Sequence, residues 1–435
     1  MFLSDLKNGY LHAYLSEEQP IYMEVPSEFA PIGFTAPCVR IVKALYGLPS
    51  SGFDFFTYTK DALISEGWQP VDNFPSLYSK EVNGEHLLLG VYVDDFYMMA
   101  PEEEGYEELV KLQKHFQISS ECMDEFRFLG INRIVSNDSA ADHMIPYIDV
   151  LLAEYKKCLN LNGPLREYSV PFSRESANTP DANVESDLLK DNPKYEPQSF
   201  IASLLFLCRC ARPDLSFAVS YMGRAVNRWT KMHDRCLRQT MGYLQATRDL
   251  VLKIPNLDTF VDGYTRVLTY SDADLAGCLN TGKSTSGFCT FLADLHGNKM
   301  LIDWGSKLQV GVALSTADAE TAAVQRATCR SSLPAQILME ETLGFECPIT
   351  HFADNQPCIT AIKNGASQTL RYLCKTQRIS IPFLHQIFNE NNNLDFVETH
   401  HNVSDIMTKF LPANKHWQYV YELGLCSLSD FRSSA

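Results

Sequence analysis

The 435-residue chain is 45% hydrophobic and 21% charged, which excludes global disorder and leaves room for two to four domains. Its formal net charge of −16 counts against nucleic-acid binding, because neutralising phosphates takes Lys and Arg, although an acidic total can hide a local basic groove. No apolar run reaches membrane-span length, no basic-then-apolar leader opens the chain, and the thirteen cysteines are scattered without a Cys-x-x-Cys pair; a disulfide framework and a zinc site are disfavoured, and the default is an intracellular soluble protein.

In chain order, a short apolar strand ends at Asp5 and a turn-like or helical segment carries Tyr10. Ile21-Tyr22-Met23-Glu24-Val25 reads as a strand stopped by Pro26, and 39–45 as strand or helix before Tyr46-Gly47-Leu48-Pro49. Residues 51–67 have helical spacing, with Phe55, Tyr58, Leu63 and Ile64 on one face. Strands over 77–82 and 86–93 flank Asn83-Gly84, a pair suited to a type I′ turn. An amphipathic helix over 102–118 precedes a strand over 126–134 with a glycine at its centre.

A second amphipathic helix covers 147–161. The stretch 163–197 is rich in Pro, Asn, Ser and Asp and reads as a linker. Two helices follow, 200–229 and 232–247, the first interrupted at Ala211-Arg212-Pro213-Asp214, with Cys208 and Cys210 as core residues. Beyond Pro255 the pattern changes to strands at 267–270, 287–292 and 299–304, then a helix over 316–333. A strand at 351–353, helices at 356–363 and 382–389, a strand at 394–399 and a helical tail with Asp405 in its first turn complete the chain.

The chemistry concentrates in carboxylates. Leu87 to Met99 places Asp94-Asp95 between two apolar runs, so the local expectation is a hairpin with the acidic pair at its tip. Ionised carboxylates there are either solvated or hold a divalent cation. Asp5 ends a strand upstream, and three carboxylates meeting at strand ends can hold two divalent ions ~3.5–4 Å apart. Mg²⁺ suits such a set because it takes oxygen ligands and keeps waters that phosphates replace.

Several motifs together carry a family resemblance over nearly the whole length. Asp5-Leu6-Lys7-Asn8-Gly9-Tyr10-Leu11, Ile21 to Pro26, Lys43-Ala44-Leu45-Tyr46-Gly47-Leu48, Tyr92-Val93-Asp94-Asp95, Phe128-Leu129-Gly130-Ile131 and Arg212-Pro213-Asp214 resemble, in that order, the reverse transcriptase–ribonuclease H region of copia-type retrotransposon Pol polyproteins. Downstream, Lys283-Ser284-Thr285-Ser286-Gly287 and Trp304-Gly305-Ser306-Lys307-Leu308-Gln309 resemble the family's ribonuclease H motifs. Two departures stand out. Pro49-Ser50-Ser51 replaces the family's Lys-Gln-Ser after Leu48, and Phe53-Asp54-Phe55-Phe56 replaces a segment that usually carries Trp.

The resemblance implies an α/β (α+β) architecture. A reverse transcriptase palm would cover 1–145, a helical thumb and connection 146–260, and a ribonuclease H-like domain 261–435. It implies Asp5, Asp94 and Asp95 as ligands of the polymerase metals, and Tyr10, Gly47 and Tyr92 as substrate-binding residues. Tyr10 matches an aromatic gate that favours deoxynucleotides. Asp272, Glu320, Asp354 and Asp405 are implied as the ribonuclease ligands, with Mg²⁺ or Mn²⁺ as cofactor. Asp274 and Asp318 are expected at the surface or behind those ligands, and His400-His401 as a solvated pair.

The implied partners are an RNA template, a DNA primer, RNA–DNA hybrid and deoxynucleoside triphosphates, with integrase or a second copy of the chain as associates and no membrane. The implied location is the cytoplasm, virus-like particles or the nucleus. The palm strand begins only three residues before Asp5, so most of the fingers are expected to be missing and polymerase activity to be poor. The rival readings are a non-catalytic remnant of such an element and a nucleic-acid-binding module that keeps the fold. Retention of all seven implied carboxylates argues against both.

Overall fold

The computed structural model describes residues 2–434 except 30–32, 34–37, 123, 137–138, 174–194, 257–258, 279, 295 and 390. The chain divides into two compact units, Met1–Phe128 and Leu129–Ala435. The expected linker at 163–197 lies largely outside the described residues. Among the described residues no helix is long and apolar enough to cross a membrane.

The strands of the first unit are β1 (Phe2–Leu6), β2 (Ile21–Glu24), β3 (Cys38–Ile41), β4 (Gln69–Val71), β5 (Phe74–Val82), β6 (Glu85–Tyr92), β7 (Asp95–Met99), β8 (Ile118–Cys122) and β9 (Glu125–Phe128). Six of them form one sheet in the order β4-β5-β6-β7-β1-β8, and β2 pairs with β3 separately. The β5–β6 hairpin turns at Asn83 and Gly84, both at positive φ, as a type I′ turn requires. Helices Ser51–Ser65 and Glu102–Leu112 supply apolar faces to a core of Phe2, Leu6, Phe55, Leu63, Trp68, Leu87, Leu89, Phe96 and Leu109. The strand expected over 126–134 is instead broken, because Leu129 (φ +49°) and Gly130 (φ +87°) turn the backbone out of extended geometry.

The second unit holds β10 (Ile131–Val135), β11 (Ser139–His143), β12 (Leu250–Pro255), β13 (Arg266–Cys278), β14 (Lys283–Ala293), β15 (Lys299–Leu308), β16 (Ile349–Ala353), β17 (Asn393–Phe396) and β18 (Leu425–Ser427). One antiparallel run pairs β10 with β11, β11 with β12, and β12 with β18. The other sheet has the order β15-β14-β13-β16-β17. Its first three strands are an antiparallel meander, while β16 and β17 run parallel to β13. That mixed 3-2-1-4-5 sheet, with the crossover helix Thr316–Ala327 on β13 and β14, is the ribonuclease H-like arrangement.

The residues expected as connection and as ribonuclease H pack within this one unit. Leu250 and Leu252 of β12 share a core with Phe291, Leu301, Trp304, Tyr419 and Leu425. Trp304 Nε1 donates to the Cys208 carbonyl at 2.8 Å. The expected helix at 200–229 is three pieces: Pro197–Cys210, a 3₁₀ turn Pro213–Leu215, and Ser216–Gly223. The break follows from Pro213, which cannot continue the helix.

Candidate active sites

The downstream centre is assembled on the mixed sheet. Asp272 lies on β13 opposite Gly287 of β14. A Cβ on Gly287 would sit 2.6 Å from Met407 Cβ and from Thr408 Cγ2. Glycine there lets the 3₁₀ turn Val403–Met407, which carries Asp405, close down onto the strand. Asn402 ties the same loop back by donating to the Ser271 carbonyl at 2.9 Å. Asp354 follows the end of β16. Oxygens of Asp272, Asp354 and Asp405 all lie within 4.8 Å of one another.

Glu320 faces this group from helix Thr316–Ala327 without being among the residues whose oxygens meet within 4.8 Å. Ala319 and Ala323 on its buried face are small enough to seat the helix close to Ala273. Glu320 Oε1 accepts from the Ala273 amide at 3.3 Å, while its Oε2 is buried with no hydrogen-bond partner. Gln309, last residue of the Trp304 to Gln309 motif, holds the helix by donating to the Ala319 carbonyl and to Ser286 Oγ, both at 2.9 Å.

Four carboxylates in one buried place raise one another's cost of ionisation. Burial, then the charges of Asp272 and Asp354, push Glu320 well above the usual carboxylate range. Burial and Asp272 push Asp405 up to about 7 against the opposing pull of Lys409. Asp354 is raised by burial and Asp272. Lys409 was not anticipated as a site residue. Its Nζ lies 2.9 Å from Asp272 Oδ1 and 2.7 Å from Asp405 Oδ1. The signal for it was the i, i+4 spacing from Asp405.

The upstream centre sits at the β6–β7 hairpin. Tyr92 pairs with Asp95, leaving Val93 and Asp94 as the turn, so only Asp94 occupies the tip. Val93 has φ +52°, a conformation that costs a β-branched residue ~1–3 kcal/mol. Asp95 stands opposite Asp5 of β1. Burial, then Asp5 and Asp94, raise its pKa. Asp5, Asp94 and Asp95 are not among the groups of three whose oxygens lie within 4.8 Å.

Asp94 is turned instead toward Tyr46, whose hydroxyl donates to Oδ2 at 2.7 Å; that hydrogen bond is the main reason Tyr46 is pushed up to about 12. Asp94 Oδ1 is buried without a hydrogen-bond partner and lies where a Cβ on Gly9 would be. Tyr10 is half-buried, its ring 4.6 Å from Tyr46 and 5.7 Å from Phe55. Gly47 takes φ +98° in the turn after Tyr46, and Tyr92 is exposed at the tip.

The Asp94 position gives a direct test. Gly9→Ala will destabilise the chain by ~1–3 kcal/mol in urea unfolding, because the new methyl lands on the Asp94 carboxylate, which must give up its hydrogen bond with Tyr46 to move aside. Gly9→Ala combined with Asp94→Ala will recover most of that loss. An equally unstable double variant would show that Asp94 is not what Gly9 accommodates.

Of the acidic neighbours, Asp318 is fully buried rather than at the surface. It accepts from Gln377 at 2.7 Å and the Leu314 amide at 2.9 Å, pinning the loop before the Glu320 helix. Asp274 accepts from the Thr285 amide, and burial pushes it up to about 6. His400 and His401 are exposed, with His400 3.2 Å from Glu398.

Among the described residues three carboxylate oxygens are buried without a hydrogen-bond partner, on Asp54, Asp94 and Glu320, and two of these belong to the two centres. An all-oxygen donor set with such orphaned oxygens fits a hard divalent cation. A palm-type sheet with a hairpin Asp pair, and a ribonuclease H-like sheet with clustered carboxylates, define a reverse transcriptase–ribonuclease H type of chain.

Residues 2–160 match the family model described as reverse transcriptase (RNA-dependent DNA polymerase). The chain is 26% identical over 423 residues to the retrovirus-related Pol polyprotein from transposon TNT 1-94 of Nicotiana tabacum, covering 94% of this chain and 30% of that protein. It is 24% identical over 424 residues to the Pol polyprotein from transposon RE2 of Arabidopsis thaliana, covering 97% of this chain and 27% of that protein. It is thus similar over nearly its whole length to Pol polyproteins of copia-type retrotransposons, and it spans 27–30% of the length of these relatives. Among solved structures, ribonuclease H1 from the halophilic archaeon Halobacterium salinarum NRC-1 is similar at 20% identity and a TM-score of 0.23, over 35% of this chain and 98% of that one.

Proposed function

We propose that this chain carries out RNA- and DNA-templated DNA synthesis at Asp5, Asp94 and Asp95, and hydrolyses the RNA strand of RNA–DNA hybrids at Asp272, Glu320, Asp354 and Asp405. The observation that carries the reading is the convergence of Asp272, Asp354 and Asp405 beside the unpartnered Glu320 Oε2. Residues 1–145 act as palm, 146–260 as thumb and connection, and 261–435 as the nuclease segment, the last two sharing one packed unit. RNA template, DNA primer, hybrid and deoxynucleoside triphosphates are the substrates.

Mg²⁺ or Mn²⁺, held by these carboxylates, supplies positive charge to the phosphate and lowers the pKa of a water. The residues do the rest. In hydrolysis Asp272, Asp354 and Asp405 would hold the cation and so fix where the phosphodiester and the attacking water bind. The P–O bond to the 3′-oxygen breaks, leaving a 3′-hydroxyl and a 5′-phosphate. Glu320 lies beside them, where its unpartnered Oε2 would serve as a further oxygen ligand. In synthesis a primer 3′-hydroxyl attacks the α-phosphate of the nucleotide and pyrophosphate leaves. Asp94 must first rotate off Tyr46 to join Asp5 and Asp95. Tyr10 then lies beneath the incoming sugar, where its ring disfavours a 2′-hydroxyl.

The test uses the whole chain on a labelled RNA–DNA hybrid and on a primed RNA template, with Mg²⁺, Mn²⁺ or chelator. The expected result is metal-dependent RNA cleavage that Asp272→Asn removes and primer extension that Asp95→Asn removes. Cleavage surviving Asp272→Asn would overturn the nuclease assignment. Extension surviving Asp95→Asn would overturn the polymerase one.

A further inference from the structure

Asp272 has both carboxylate oxygens engaged. Oδ2 accepts from the Thr408 hydroxyl, and Oδ1 accepts from Lys409 Nζ at 2.9 Å. The same ammonium donates to Asp405 Oδ1 at 2.7 Å. The reach is fixed by the backbone, since the Lys409 amide closes a turn onto the Asp405 carbonyl at 2.9 Å. Asp272 and Asp405 are buried, while a third of the Lys409 side chain remains exposed.

One positive charge therefore stands among four carboxylates. Lys409 Nζ bridges the two buried carboxylates, within ion-pair distance of both Asp272 and Asp405. A divalent ion bound at this place needs the same two oxygens at about 2.0–2.1 Å. It cannot share them with an ammonium at hydrogen-bond distance, because two cations so close repel in a poorly solvated site. The flexible four-carbon stem, a third of the side chain being exposed, gives Lys409 a way out to solvent.

We propose that Lys409 is a resident counter-cation of the nuclease centre, a positioning residue that holds Asp272 and Asp405 together before a divalent ion arrives and that the ion displaces. The inference rests on the reading of Asp272, Glu320, Asp354 and Asp405 as a metal centre. Lys409 then sets the metal concentration at which the centre loads, and it keeps the unloaded carboxylates from splaying apart.

The experiment measures Mn²⁺ binding to the whole chain from the loss of the free-ion electron paramagnetic resonance signal. All arms carry Asp94→Asn and Asp95→Asn to silence the palm, and only binding lost in Asp272→Asn is counted. Lys409→Met removes the charge and the donors. Lys409→Gln removes the charge and keeps a donor of similar reach. Both will bind Mn²⁺ tighter by ~10-fold or more. Both will melt lower than the parent without metal, and will gain more in melting temperature when Mn²⁺ is added. Lys409→Arg will stay close to the parent.

If the parent shows no Asp272-dependent binding, the metal-centre reading fails and the proposal falls with it. If the parent binds but the charge-removing variants bind equally or more weakly, that reading stands and the Lys409 proposal alone is overturned. If both variants stay unfolded at every Mn²⁺ concentration, Lys409 belongs to the scaffold and the proposal is likewise overturned.

Discussion

Glu320→Gln will lower metal-dependent RNA cleavage by at least ~10²-fold, the scale on which removing one group that stabilises transition-state charge is felt. The same variant will be at least as stable as the parent in metal-free buffer. The two effects separate because they come from different states. With a cation present, Glu320 Oε2 is a charged oxygen with no other partner, and losing its charge weakens the hold on the ion. Without one, the same charge is buried beside Asp272 and Asp354 and opposes folding. Glutamine keeps the shape and the acceptor for the Ala273 amide. Hybrid cleavage and chelator-treated thermal melts measure the two sides. A variant that loses activity and stability together would mean that Glu320 is a packing residue.

Arg212→Met will destabilise the second unit by ~3–5 kcal/mol, the usual consequence of stranding one member of a buried ion pair. The Arg212 guanidinium is 1% exposed and Asp214 is 2% exposed. Arg212 grips Asp214 with two nitrogens at 2.9 and 2.7 Å and caps the helix Lys231–Ala246 through the Thr247 carbonyl at 3.0 Å. Tyr243 donates to Asp214 at 2.8 Å and lies 3.0 Å from His416 Nε2, so the network spans three helical segments. Replacing both members, as Arg212→Met with Asp214→Leu, will cost less than Arg212→Met alone. Urea unfolding of the whole chain measures both, and equal losses would argue against a stranded charge.

The same network fixes a pH dependence. Burial pushes the His416 imidazole down to about 4, with Asp214 pulling the other way. A histidine whose folded pKa lies below its unfolded value of ~6.5 contributes stability above that value and loses it as the pH falls toward 4. At 1.36 kcal/mol per unit the span is worth ~3 kcal/mol. Melting temperature will fall between pH 6.5 and 4, and less steeply in His416→Gln. A parallel decline in the two proteins would remove His416 from the account.

What could be read from the chain beforehand was what local chemistry dictates. Asn83-Gly84 announces its turn because few other pairs take positive φ twice. The alternating runs around it announce the strands. Glu320 stands on a helix and Asp354 just past a strand end, positions visible through flanking apolar periodicity and motifs of the family, whereas Asp272 lies in the middle of β13 and Asp405 in a 3₁₀ turn ahead of the tail helix. What stayed hidden depended on partners distant in sequence. Gly287 looks like a strand glycine until the Val403–Met407 turn closes on it. Asp318 looks like an exposed first-turn acid until Gln377 folds over it. Tyr46 sat inside a quoted motif, yet its hold on Asp94 needs the hairpin tip brought to it. The strand expected over 126–134 failed because the apolar pattern continues through Leu129-Gly130 while the backbone turns.

The pairing of β12 with β18 has a consequence for synthesis on the ribosome. Leu250–Pro255 is made some 170 residues before Leu425–Ser427, which borders it in the finished sheet. Its other neighbour, Ser139–His143, is translated more than 100 residues earlier still. Until the last of these emerges, β12 presents an unpaired edge and its share of the Leu250, Leu252 and Tyr419 core is uncovered. Pairings so distant in sequence form slowly and expose sticky intermediates. This unit therefore completes its sheet only once residue 427 has left the ribosome, and a nascent chain stalled before residue 425 is a natural client for chaperones.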